Sequence, residues 1–160
     1  MSAGEDALPP YRHAGARALV LLHERELRAF VDRWRAARAV DLTLPASDDP
    51  NYASLDHLLA HVLRCARSYL TWSCEQLGLD DPGVRPEPPA ASIAAEADAY
   101  LEHVLERWRT PLKDLTEEAS EHPEYPSLWG PRYCIDAMLE HAVMHPIRHR
   151  FQLESLLEGR

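Results

Sequence analysis

The chain carries nine histidines, and their spacing holds most of its chemical information. His141, His145 and His149 recur at every fourth residue. Side chains at i and i+4 stack on one face of a helix. Two imidazoles so placed can share one metal ion but cannot complete its coordination, so another segment has to supply a third ligand. His57 and His61 form a second pair at the same spacing. Register selects among them. His149 shares its face with Ala142, Pro146, Leu153 and Leu156, an apolar stripe, and so points inward. His145 lies at the stripe's edge, beside Met138, Ala142 and Gln152, whereas His141 lies further round and is expected to be solvated. His61 flanks the stripe of its own helix beside Leu58 and Cys65, and His57 is turned away. The expected centre is therefore His61, His145 and His149.

Three neutral imidazoles leave a divalent ion its full charge and at least one open position, the mark of a catalytic rather than a structural site. An open position takes water, whose pKa zinc lowers to about 7, or a thiol, which zinc deprotonates outright. Imidazole suits zinc, nickel, copper or iron, with zinc or nickel foremost here. Four neighbours are candidates to orient a ligand or bind substrate. Arg148 and Arg150 lie beside the ligands and offer charge to an anion, although Arg150 also has Glu154 four residues on as an ion-pair partner. Gln152 stands three residues after His149, and His23 faces inward among Leu19, Val20, Leu27 and Phe30. Cys65, one turn after His61, is within reach of the ion but reads as a buried, inert thiol. His13, His57, His103 and His122 read as ordinary surface or core histidines, and the four tryptophans as packing groups.

The elements that must position these residues are set off by prolines. Pro9-Pro10, Pro45 with Pro50, the run Pro82 to Pro89, and Pro123 to Pro131 mark the joints. Four long segments lie between them, each with apolar residues at three- and four-residue steps, over 11–39, 54–77, 92–119 and 131–157. Ser54 is placed to cap the second and Gly78 to end it. Pro111 should kink or break the third near Thr110, and Pro131 should sit at the first helical position of the fourth. Strand signals are weak, with no Asn-Gly or Asp-Gly turn. An all-α four-helix bundle follows, as one domain over 1–160, with residues 1–10 expected to be a flexible tail.

At this point a resemblance emerges. His141-Ala-Val-Met-His145-Pro-Ile-Arg-His149-Arg150-Phe-Gln152 resembles the closing-helix motif of the DinB/YfiT superfamily, where His-x-x-x-His is followed by Arg-Gly-Gln. Ser54-Leu-Asp-His-Leu-Leu-Ala-His61-Val-Leu resembles the second-helix motif of the same superfamily. The resemblance spans nearly the whole chain. It implies a bundle of up-down-down-up order, often homodimeric, with a divalent metal on His61, His145 and His149. It further implies an enzyme such as a thiol S-transferase or a mycothiol-dependent isomerase, using a low-molecular-weight thiol. The family's glycine after His-Arg is Phe151 here, which should narrow the site, and Pro146 follows a ligand directly, which should bend the helix there.

Composition limits the alternatives. With 17 basic and 26 acidic residues the net charge is −9, which disfavours phosphate-rich partners and anionic membranes. No segment approaches a membrane span, no secretion signal is seen, and an odd count of three cysteines suits a reduced cytoplasm. A hydrolase at the same ion would need a general base, and no His-Glu-x-x-His is present. A non-catalytic stress-response or interaction module holding the metal is the other alternative.

Overall fold

A computed structural model describes residues 8–160. Four long helices form from the four periodic segments: α1 (Ala14–Ala39), α2 (Leu55–Gln76), α3 (Ile93–Trp108) and, after a short α4 (Glu117–Glu121), α5 (Ile135–Glu158). A two-stranded hairpin, β1 (Tyr125–Pro126) and β2 (Arg132–Tyr133), precedes α5, and a 3-10 turn over Pro50–Tyr52 precedes α2. The molecule is thus mostly helical, and no described helix is long and apolar enough to cross a membrane.

The apolar stripes account for the packing. Phe30 and Val31 of α1, Leu58 and Leu63 of α2, Val104 and Trp108 of α3, and Ile135 and Met138 of α5 are buried in one core. Each such side chain removed from water stabilises the fold by about 1.5–3 kcal/mol before entropy is counted. α5 packs most extensively on α1 and also on α2, which brings the histidine faces of α2 and α5 together. Three tryptophans hold the layers in register through their indole N–H groups. Trp34 donates to the Leu55 carbonyl (3.0 Å), Trp108 to Ala66 (3.1 Å) and Trp72 to Pro126 (3.0 Å).

Local signals mark most boundaries. The Ser54 hydroxyl accepts from His57 N at the start of α2. At its end Gly78 takes φ +65°, which lets the N–H groups of Gly78 and Leu79 close on the carbonyls of Glu75 and Cys74. The third segment breaks near Pro111 as expected, with a separate helix after the break, and the fourth starts later than expected. α3 stops at Trp108 and α4 begins afresh, its Thr116 hydroxyl accepting from Ala119 N, so the segment over 92–119 is two helices. Pro111 explains the gap, since it lacks an N–H and pushes Thr110 away from helical dihedrals. Pro131 lies in the hairpin rather than in the first turn of α5, which starts four residues later on a Cys134 cap. Within α5, Pro146 is buried and the helix runs through it.

Residues 1–7 of the expected tail lie outside the described residues. Leu8 is buried in the core, so the expected tail does not include it. Beyond it, Tyr11 OH donates to Arg109 O (2.8 Å) and Arg12 N to Lys113 O (2.8 Å), tying this segment to the α3–α4 connection.

Candidate metal centre

α2 and α5 face one another with His61 on one side and His145 and His149 on the other. The Nε2 atoms of His61 and His145 are 3.2 Å apart. Ring centroids stand 5.0 Å apart for His61 and His145, 4.7 Å for His145 and His149, and 5.3 Å for His61 and His149. The rings meet edge to face. Two imidazole nitrogens on one tetrahedral zinc, each at 2.0–2.1 Å, stand roughly 3.3 Å apart. The His61–His145 separation fits that requirement.

The protonation state fits as well. Burial, reinforced by the neighbouring His149 and Arg64, pushes His61 down to about 4. Burial, with His149, His61, His141 and Arg148 around it, holds His145 lower still. Burial also lowers His149, opposed by its hydrogen bond to Gln152. All three are therefore neutral at pH 7, the form that ligates a metal. Gln152 Oε1 lies 3.2 Å from His149 Nδ1. As an acceptor it places the proton on Nδ1 and leaves the Nε2 lone pair free, the orienting role expected of it. His145 Nδ1 is buried without a partner.

Cys65 belongs to this group, within the reach of an ion that its place one turn after His61 allowed. Its Sγ is 3.7 Å from His61 Nδ1, and donor atoms of His61, Cys65 and His145 all lie within 4.8 Å of one another. The signal was its i+4 spacing from His61, the same spacing that pairs His145 with His149. A His-Cys-His group able to hold a metal ion is thus present, with the His149 ring beside it.

His141 also departs from expectation. It is half-buried, stacked on Trp129 (4.9 Å between centroids) and edge-on to Tyr69 (5.3 Å) and Tyr133 (5.8 Å). The hairpin carries Trp129 and Tyr133 over this end of α5, and Tyr69 reaches on to His145 (5.8 Å). Trp129 is 44% exposed, so it forms a solvent-facing wall rather than core. Neither the hairpin nor the wall was legible in the sequence.

The remaining candidates separate. Arg150 does not offer a free cation: its guanidinium donates to Glu154 and to Glu26 of α1, each at 3.0 Å. Arg148 is exposed and has no carboxylate partner among the described residues, while its charge contributes to lowering His141, His145 and His149. Phe151 is 54% exposed with Arg150 over its ring, so it does not narrow the site. His149 is flanked instead by Phe30 (6.5 Å) and Tyr52 (6.0 Å). His57 serves the helix cap beside Ser54, and His103 Nε2 accepts from Arg85 N.

His23 lies elsewhere. Its ring is 1% exposed and packs on Trp108 at 4.1 Å, and neither nitrogen has a hydrogen-bond partner. Burial alone pushes it down to about 3. Its one ring contact among the described residues is with Trp108, and none is with the three clustered histidines. A buried N–H without an acceptor costs about 1–3 kcal/mol. His23→Leu is therefore expected to raise stability by about 1–2 kcal/mol, provided leucine fills the same volume. Denaturant unfolding at pH 7 checks this, and an unchanged or lower midpoint would contradict it.

Compared with known proteins, the chain matches no family model, no curated protein and no solved structure.

Proposed function

We propose that this chain is a metal-dependent enzyme of the DinB/YfiT-like kind, a bundle of up-down-down-up order working as a homodimer in the cytoplasm. In this reading a divalent ion on His61, His145 and His149 activates a low-molecular-weight thiol for S-transfer or isomerisation. The observation that carries it is the 3.2 Å approach of His61 and His145 from two separate helices, with His149 completing the triangle. That separation suits two ligands on one cation as well as it suits an N–H···N hydrogen bond between the rings, and the third imidazole beside them favours the cation.

A bound divalent ion supplies a Lewis acid that deprotonates a coordinated thiol. The protein does the rest. His149, oriented by Gln152, presents a fixed lone pair. Arg148, with no carboxylate partner among the described residues, is free to pair with an anionic group of the thiol or its acceptor. Tyr69, Trp129 and Tyr133 give an apolar wall against which a substrate can pack away from water. Hydrolysis is the less favoured reading, since α2 and α5 carry no His-Glu-x-x-His to supply a general base beside the ion.

The test is a panel of mycothiol, bacillithiol and glutathione against small electrophiles, using metal-loaded and chelator-stripped protein. Thiol-dependent turnover that needs the metal supports the reading. Metal binding without any turnover supports a second reading, a non-catalytic metal-holding module, for which the nearby Cys65 thiol speaks. Ester or amide cleavage without thiol would favour a hydrolase.

A further inference from the structure

We propose that Cys65 is itself a ligand of the cation, so that the centre is a mixed nitrogen–sulfur site built from two i,i+4 pairs, His61/Cys65 on α2 and His145/His149 on α5. This rests on the metal reading of the histidines but goes beyond it, because it changes which cation is preferred and whether a coordination position is open.

Geometry carries the proposal. The Cys65 sulfur is 3.7 Å from a His61 nitrogen, and one donor atom from each of His61, Cys65 and His145 fits inside a 4.8 Å span. Zinc at about 2.3 Å from sulfur and 2.0–2.1 Å from nitrogen places such ligands roughly 3.5 Å apart, so rotation of the His61 ring or the Cys65 side chain closes the set. His61 offers one nitrogen to each neighbour, Nδ1 towards Cys65 and Nε2 towards His145, and a single ion takes only one of them. The thiol is half-buried and faces the cluster, not a disulfide partner, as all three cysteines are free. Burial raises it, partly offset by a hydrogen bond with Tyr69, so without a cation it rests as a thiol.

On binding, the S–H bond breaks, the sulfur lone pair goes to the cation, and the proton leaves to buffer. Thiolate alongside imidazole selects borderline and soft cations such as zinc, cobalt or cuprous copper over magnesium, calcium or manganese. A fourth protein donor also fills the corner that three histidines leave vacant. An incoming thiol then has to displace Cys65, which makes this residue a gate on the proposed chemistry.

Cobalt(II) titrated into the full-length, metal-stripped protein reads this directly. Wild type is expected to show a sulfur-to-cobalt charge-transfer band in the near ultraviolet together with intense tetrahedral visible absorption. Cys65→Ser and Cys65→Ala should lose the charge-transfer band and bind zinc at least about tenfold more weakly. Cys74→Ala should retain it. Circular dichroism confirms that each variant is folded, and zinc protection of Cys65 from iodoacetamide in the wild type gives a readout independent of any variant. Two results would overturn the proposal. One is a wild-type cobalt complex without the charge-transfer band that still depends on His145; there the histidine centre stands and the cysteine ligand falls. The other is no cobalt or zinc binding by wild type at all, which removes both.

Discussion

His145→Ala is expected to abolish the proposed metal binding. His145 is the residue common to the close approach with His61, the ring contact with His149 and the group that includes Cys65. Its removal deletes the 3.2 Å nitrogen pair that joins α2 to α5 at metal-ligand spacing. Loss of a group that merely orients a ligand costs 10–100-fold in metal affinity, so loss of this ligand should exceed about 100-fold. Gln152→Ala should fall inside the smaller range, because it releases the His149 ring without removing a donor. Zinc content after gel filtration, with competition against a chelator of known affinity, measures both. Wild-type affinity in His145→Ala would remove the centre as described here. Circular dichroism and a urea midpoint of the metal-free variant, which loses the ring's packing on His61, Tyr69 and His149, establish whether it is folded. That separates loss of a ligand from loss of the fold.

The second large effect is acid instability of the metal-free protein. His23 is held down to about 3 and His61 to about 4, with His145 and His149 also lowered, whereas unfolded histidine titrates near 6.5. Between these limits the unfolded chain binds more protons than the folded one, so stability rises with pH. It is fully present above about pH 7, declines as pH falls through 6.5, and continues to decline to about 4 for His61 and about 3 for His23. The fully buried His23 alone approaches a slope of about 1.4 kcal/mol per pH unit in that window. Urea midpoints measured from pH 7.5 to 4 should fall steeply, and in His23→Leu the slope should be shallower by that amount. Equal slopes in the two proteins would mean that His23 is solvated or partnered in solution.

Both effects depend on groups that differ in how far the sequence revealed them. The α2 boundaries were legible at Ser54 and Gly78 because a cap is local: one hydroxyl reaches an N–H three residues on, and one glycine takes a positive φ. The inward register of His149 was legible for the same reason, since a helix fixes which residues share a face without any partner. Pro111 did break the third segment, but the separate α4 and its Thr116 cap emerged only in the fold. The hairpin was missed because two-residue strands are too short for an alternating pattern.

What the sequence alone determined, then, were the long helices, their apolar faces and the i,i+4 pairs, because periodicity and capping act within a few residues of one chain segment. Only the tertiary structure decided what those pairs meet. Glu26 on α1 claims Arg150, Trp129 on the hairpin covers His141, Trp108 on α3 buries His23, and Cys65 turns towards His61 and His145. Each outcome depends on a partner distant in sequence, and the docking of helices, not the spacing within one, sets that distance.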